Sequence, residues 1–270
     1  MVWDGPRLAV SLLSVLPSWG SADGRVSRET AAAAMAWAPA VGLALGAAAA
    51  AVLLGADRLL RAGPLLTSVL AVSTLALLTR GLHLDGLADF ADGLGGGKTA
   101  TEALDIMRRS DIGPFGVATL VLTLLVQVAA LAQVQDRGAA GAVGSTASAG
   151  HGGAALVTAT VAGRLAITWA CRRGVPAARP HGLGALVAGT LPAAVPAVLT
   201  VVVLGLAALC GRLLAAPSGG WLLPTGIAAG LAVSLALTGH AVRRLGGITG
   251  DVLGALTEIA TAVCLIVTAA

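Results

Sequence analysis

The sequence predicts an all-α fold, a polytopic integral membrane bundle of about seven transmembrane helices, and three observations predict it. Hydrophobic residues make up 57% of the chain and charged residues 11%, with a mean hydropathy of +0.90, well outside the balance of a water-soluble globular domain. Apolar windows near the roughly 20 residues that a spanning helix needs recur along all 270 positions. Lys and Arg alternate between loops in the manner of a multi-pass protein. Residues 1–270 therefore read as a single integral membrane domain.

Taken in order, the apolar run from Arg7 to Leu16 is too short to span and reads as a membrane-surface or re-entrant helix. A cleaved secretory signal is disfavoured there, because Asp4 weakens the basic flank and Pro17 and Trp19 sit where small residues would be needed. Seven spans follow, at roughly 31–54, 64–82, 112–134, 152–171, 184–211, 220–242 and 249–269. Pro114 suits the first turn of the third. Pro192 and Pro196 kink or break the fifth. The Gly-, Ala- and Ser-rich stretch from Gln135 to Gly153 reads as a flexible outer loop. Gly42 with Gly46, and Gly226 with Gly230, have the spacing that lets helices approach closely, here within one chain. Tyr is absent, which leaves Trp19, Trp37, Trp169 and Trp221 as interfacial anchors.

Of the 17 basic residues, only Arg58, Arg61, Arg137 and Arg212 fall on one side of these spans, Arg164 falls inside the fourth, and the remainder, Arg25 among them, share the other side. The positive-inside rule makes that second side cytoplasmic. The charge is anchoring, not a nucleic-acid patch. On the same side fall the segments 81–111, 172–183 and 243–250, which hold nearly all the unusual polar residues, so chemistry is expected there. Cys171, Cys210 and Cys264 are scattered in apolar segments without metal-site spacing and read as small hydrophobes.

The first of these segments carries the strongest signal. His83-Leu-Asp-Gly-Leu-Ala-Asp-Phe-Ala-Asp92 holds three of the chain's 13 acidic residues. At about 100° per helical residue, Asp85, Asp89 and Asp92 share one face. Hard oxygen donors crowded in this way suit Mg²⁺ or Mn²⁺ and a phosphorylated ligand, and not zinc. Gly93 to Lys98 is glycine-rich but is no Walker motif, because the required first glycine is Asp92; Lys98 is a candidate phosphate contact. Thr101 to Arg109 reads as a short amphipathic helix capped by Thr101. Arg164 needs an anion within the membrane, either one of the aspartates or a substrate phosphate. Arg179 and His181 offer a second anion contact. Arg243-Arg244-Leu-Gly-Gly-Ile-Thr-Gly-Asp251 brings two cations, glycines and a further carboxylate to the start of the last span, with Asp251 as either a site residue or a helix cap.

These residues resemble the cobalamin synthase family, the adenosylcobinamide-GDP ribazoletransferases. The resemblance rests on His83 to Leu94, on Ile106-Met107 with Ser110 and Ile112 to Gly116, and on Arg243 to Asp251, in family order. Phe90 stands where the family commonly has Thr, and Arg109-Ser110-Asp111 reverses its acidic-Ser-basic order, so Arg109 and Asp111 are not carried over. The resemblance implies a multi-pass enzyme of the bacterial inner membrane, its active site facing the cytoplasm. It would join adenosylcobinamide-GDP to α-ribazole, or to α-ribazole 5′-phosphate, in cobalamin biosynthesis, releasing GMP with Mg²⁺ as cofactor. Asp85, Asp89 and Asp92 would hold the metal, Asp92 or Asp251 would accept the ribazole proton, and Lys98, Arg164, Arg243 and Arg244 would hold phosphates. The rival readings are a CDP-alcohol-type phosphotransferase acting on a lipid, whose aspartate pattern breaks at Ala88-Asp89, and a transporter. The bilayer is a partner on any reading, and homo-oligomerisation is left open.

Overall fold

The computed structural model describes residues 4–16, 26–141, 145–214 and 220–270, with backbone alone for 139–141 and 145–148. Trp19 and Arg25 lie outside the described residues. Among the latter are eleven α-helices: α1 (Asp4–Leu13), α2 (Arg28–Leu60), α3 (Pro64–Leu78), α4 (Leu82–Leu94), α5 (Ala100–Ile106), α6 (Pro114–Gly141), α7 (Ser145–Ala170), α8 (Leu183–Val187), α9 (Ala194–Leu214), α10 (Leu222–Leu245) and α11 (Gly250–Thr268). Six of them are long and apolar enough to cross a membrane, and α3 with α4 forms a bent pair, which raises the number to seven if the pair is counted as one span. The protein is a polytopic helical membrane bundle.

Helix α7 is its axis. Its apolar stretch is 83% buried inside the protein, against 22% for α6 and 17% for α9, so α7 packs on protein while α6 and α9 face lipid. Around it stand α2, α6, α9, α10 and α11. Small residues set the closest approaches: a Cβ at Gly42 of α2 would lie 2.7 Å from the Thr160 carbonyl oxygen of α7, and one at Gly230 of α10 would lie 2.7 Å from the Ala260 carbonyl oxygen of α11. Both glycine pairs thus serve packing within the chain, where backbones meet without intervening side chains. Trp221 precedes α10 with the Arg212 guanidinium 5.5 Å from its ring centroid, a cation–π pair at a span end.

Three expectations are corrected. Residues 135–153 are mostly not an outer loop: α6 continues to Gly141 and α7 begins at Ser145. The polar residue that suggested a helix end, Gln135, is buried, accepts from Thr67 Oγ1 at 2.9 Å and donates to Ser68 Oγ at 2.9 Å. Its amide is satisfied by α3, which removes the cost of carrying it inside the span. The fifth span does break at its prolines, but more completely than a kink. Helix α8 stops at Val187, and α9 starts afresh at Ala194 with Pro196 in its first turn. Between them Arg173 N–H donates to Leu191 O and Leu191 N–H to Cys171 O, pinning the break to the end of α7.

The third correction positions the site. The apolar window 64–82 ends at Leu78, and α4 leaves at 87°. Arg80 and Gly81 form the corner in the left-handed region, at φ 55° and 67°, with Gly81 N–H donating back to Ala76 O at 2.8 Å. Glycine takes that conformation without penalty. Hydropathy drops at Arg80, which marks the end of the apolar run but not the direction the chain then takes. Pro114 does open α6, as its fixed φ and missing N–H favour.

Candidate active site

Because α4 turns across the bundle, it meets the start of α11 almost backbone to backbone. A Cβ at Gly86 would lie 2.9 Å from both the Cα and the carbonyl oxygen of Asp251, and one at Gly254 would lie 3.0 Å from the His83 carbonyl oxygen. No side chain larger than hydrogen fits at this crossing. Its consequence is that Asp251, in the first turn of α11, stands beside Asp85 and Asp89 of α4; the charge of Asp89 is felt by Asp85, Asp251 and Asp92 and opposed by Arg179. Asp85 is exposed and Asp89 and Asp251 half-buried. Helix α11 is capped by Thr249, whose side chain accepts from Val252 N–H at 3.2 Å and also reaches Asp251 Oδ2 at 3.2 Å. Asp251 is therefore not the cap and keeps its carboxylate for the acidic face, next to the positive end of the helix dipole.

Two loops close over this face. Ala178 N–H donates to Ile248 O at 3.0 Å and Ile248 N–H to Pro176 O at 2.9 Å, stitching residues 172–182 to 246–249. Gly247 makes this possible, since a Cβ there would sit 2.5 Å from the carbonyl carbon of Ala177. The stitched loop carries Arg179, which donates to Leu104 O of α5 and faces Asp251, Asp105 and Asp89. Burial lowers its guanidinium pKa from the ordinary value, while those carboxylates pull it back up and Arg108 pushes it down. His181 is exposed.

Helix α5 begins at Ala100 and not at Thr101. Thr99 is its cap, with Thr99 Oγ1 accepting from Glu102 N–H at 3.4 Å and Glu102 Oε2 accepting from Thr99 N–H at 2.9 Å. This reciprocal box accounts for Glu102. Arg244 donates to the Lys98 carbonyl oxygen at 2.9 Å, which ties the glycine-rich turn to the end of α10. Lys98 and Arg243 leave their charges exposed at the rim. The structure thus brings Asp85, Asp89, Asp251, Arg179, Lys98, Arg243 and Arg244 to one end of the bundle.

Two expected site residues sit elsewhere. Asp92 is buried, and its carboxylate accepts from Gly113 N–H at 2.7 Å and Gly116 N–H at 2.9 Å at the start of α6. Angular proximity on a helix had grouped it with Asp85. Seven residues of rise separate the two by about 10 Å along the axis, far enough for a different neighbour to claim it. Arg164 is 2% exposed and faces Glu258 of α11 across a cavity of about 20 Å³ that Gln127 also lines. Gln127 Nε2 donates to Glu258 Oε2 at 2.8 Å. Arg164 lies on the His83 side of α4, and His83 is turned about 200° from Asp85 by helical geometry. Its anion is Glu258, which the sequence reading passed over. The signal was there, since Glu258 is the one acid of the last span beyond its first turn, where Asp251 stands, and Arg164 the one base inside the fourth.

Phe90, where Thr was expected, is 3% exposed and packs in the core, so this departure does not touch the acidic face. Among the described residues, no three or more His, Cys, Asp or Glu side chains converge closely enough to hold a metal ion unaided.

Fold and site define a multi-span membrane protein that assembles carboxylates and arginines from distant segments at one end of a helical bundle. The family model described as CobS, cobalamin-5-phosphate synthase, matches residues 5–269. Relatives named adenosylcobinamide-GDP ribazoletransferase are 42% identical in Frankia casuarinae, covering 97% of this chain and 93% of that one. In Nocardioides sp. the identity is 40% over 99% of both chains, and in Bradyrhizobium diazoefficiens it is 38% over 98% and 92%. No solved structure matches. The chain belongs to the CobS family.

Proposed function

We propose that this protein is an adenosylcobinamide-GDP ribazoletransferase of cobalamin biosynthesis, working at the cytoplasmic face of the bacterial inner membrane. One observation carries the site assignment. The Gly86–Asp251 contact, which no side chain would permit, gathers three carboxylates opposite Arg179. A diphosphate-bridged substrate and a cation are the partners that such a mixture of charges accommodates. Family membership over nearly the whole chain supplies the substrate class and leaves the lipid-phosphotransferase reading without support.

Mg²⁺ fits this donor set. Its oxygen ligands are hard, and Mg²⁺ is ordinarily held by one or two carboxylates with substrate phosphates and water completing the shell, which agrees with a face that lacks a closed cage of three ligands. Asp85 and Asp89 would hold it. When bound, the ion would withdraw charge from the diphosphate oxygens. Arg179 would grip a phosphate from the opposite side, with Lys98, Arg243 and Arg244 steering the anion at the rim. The α-ribazole hydroxyl attacks the phosphorus on the cobinamide side, a new P–O bond forms, the P–O bond to GMP breaks, and the hydroxyl proton passes to a carboxylate. Asp251 is the better acceptor, because both Asp92 oxygens already receive backbone N–H groups.

The arginines support a cytoplasmic face: Arg28 bonds to Ala185 O of α8, Arg179 to Leu104 O of α5 and Arg244 to Lys98 O at this end, while Arg137 bonds to Ala270 O at the other.

The test is purified protein in detergent with adenosylcobinamide-GDP and α-ribazole or its 5′-phosphate, with and without Mg²⁺, followed for GMP and the corrinoid product, with CDP-alcohols in parallel. Product formation that requires Mg²⁺ is expected, and Asp89→Asn should lower it about a thousandfold or more with membrane insertion intact. Turnover of CDP-alcohols alone, or near-normal turnover by Asp89→Asn, would refute the reading.

A further inference from the structure

We infer that Asp92 is a positioning residue and not a ligand: it clasps the start of α6 to the end of α4 and thereby holds Asp89 in register with the rest of the acidic face. The inference takes that face as the reacting site, as proposed above.

Three observations carry it. First, the carboxylate is fully engaged. Oδ2 accepts from Gly113 N–H at 2.7 Å and Oδ1 from Gly116 N–H at 2.9 Å, and the side chain is 8% exposed. Second, the acceptor is where a helix needs one. Pro114 is the first residue of α6 and has no N–H, so Gly113 and Gly116 present two of the free donors at its positive end, and an anion placed there is doubly favoured. Asp92 does for α6, from a distant helix, what a neighbouring Asp or Ser does in an ordinary cap. Third, the partner residues leave room for nothing else. The nearest atoms to a Cβ at Gly113 would all belong to the Asp92 carboxylate, and at Gly116 its Oδ2 again lies closest. Glycine on α6 and aspartate on α4 are complementary shapes.

The coupling to chemistry is geometric. Asp89 lies three residues before Asp92, one turn of the same helix, and α4 is otherwise fixed at its far end by the Arg80–Gly81 corner and in its middle by the crossing with α11. The end of α4 also packs on Met107 and Ala103 at Gly93, but without the clasp it loses the hydrogen bonds to α6 that fix the turn bearing Asp89. A displacement of about 1 Å in a reacting group is enough to cost about a hundredfold in rate.

The experiment uses full-length protein in detergent, with Asp92→Ala, Asp92→Asn, Gly113→Ala, the Asp92→Ala/Gly113→Ala double variant and Asp89→Asn. Mn²⁺ binding is read by electron paramagnetic resonance, thermal melting is followed, and turnover is normalised to the folded fraction given by the melting curves. Asp92→Ala should lower kcat about tenfold or more with KM and Mn²⁺ affinity within twofold of wild type, and Asp92→Asn, which keeps one acceptor oxygen, should recover part of the loss. Gly113→Ala, which leaves every carboxylate in the chain but displaces that of Asp92, should match Asp92→Ala. The double variant should be no worse than either single, because the added methyl group then occupies vacated space. Loss of Mn²⁺ affinity in Asp92→Ala would overturn the inference by making Asp92 a ligand. Additive losses in the double variant, or wild-type turnover in Asp92→Ala, would overturn it as well. An Asp89→Asn variant that binds Mn²⁺ normally strikes the metal reading alone, since the cycle between Asp92 and Gly113 is scored without reference to the ion.

Discussion

The protein carries charge in two kinds of place, and they obey different rules. At the end of the bundle, Asp85, Asp89 and Asp251 meet with Arg179 as the cation facing them most closely, and Asp85 remains open to solvent. In the interior, Arg164 and Glu258 stand opposite each other beside Gln127, closed around a space of about 20 Å³. The interior group sets one cation opposite one anion and satisfies the carboxylate with an amide, as burial in an apolar bundle favours, although Arg164 Nε is buried without a hydrogen-bond partner among the described residues. The end group is not matched in this way. Three carboxylates crowded on one face, with Arg179 the one cation among the described residues found to act on Asp89 and Asp251, cost free energy in the resting protein, and a bound cation would offset that cost. The comparison teaches that local charge imbalance, more than charge as such, separates a reacting site from a structural one in this fold.

The comparison is broken most severely at the interior group. Arg164→Leu leaves Glu258 uncompensated and should destabilise the protein by about 3–5 kcal/mol, read as a lowered melting temperature in detergent. Adding Glu258→Gln, which keeps an acceptor for Gln127, should restore most of that loss. Turnover of the folded fraction should stay near wild type in both. If Arg164→Leu kept its melting temperature and lost turnover, Arg164 would belong to the reacting site after all.

A smaller effect is expected where the two regions share a scaffold. Gly86→Ala pushes a methyl group into the backbone of Asp251, 2.9 Å away. The helices must part by some tenths of an ångström or more, at a cost of about 1–3 kcal/mol in stability. Turnover should fall more steeply than stability, by about a hundredfold, because Asp251 moves relative to Asp85 and Asp89. A change in melting temperature without a change in kcat would mean that the crossing serves packing only.

Much of this arrangement was legible in the residues. The window 64–82 located α3, Pro114 marked a helix start, and the acidic face stood out because the rest of the chain avoids charge. What escaped was whatever depends on a partner far along the chain. Hydropathy marked the end of the apolar run near Arg80 but not the left-handed turn there, since dihedral angles and the direction they set leave no trace in composition. Helical projection placed Asp92 with Asp85 and Asp89, for a projection discards axial distance, and only the start of α6, some 20 residues on, decides what Asp92 does. Gln135 and the glycines around it looked like a loop until α3 supplied partners for the amide. Arg164 was recognised as needing an anion, but the choice among distant carboxylates is made by the packing of α7 against α11.

The mildest test sharpens the boundary of the reacting region. Thr99→Ala removes the cap of α5, a loss of about 1 kcal/mol that falls on a seven-residue helix too short to persist without its ends fixed. Helix α5 reaches Arg179 through Leu104 O and the Asp105 charge, and it packs against Gly93 at the end of α4 through Ala103. Turnover should therefore fall about threefold, through looser placement of one arginine, with the global melting temperature almost unmoved. The box also has a pH signature of definite sign. Thr99 N–H and O–H hold the Glu102 carboxyl below its ordinary range, so its contribution to α5 is complete above the unfolded pKa and fades as pH falls through the lower, folded one. Amide protection along 99–106, measured against the intrinsic exchange rate at each pH, should fall in acid in wild type and be low at all pH values in Thr99→Ala. If turnover instead fell as far as in Gly86→Ala, α5 would have to be counted within the reacting site, and the contrast between balanced and unbalanced charge would extend beyond the crossing of α4 and α11.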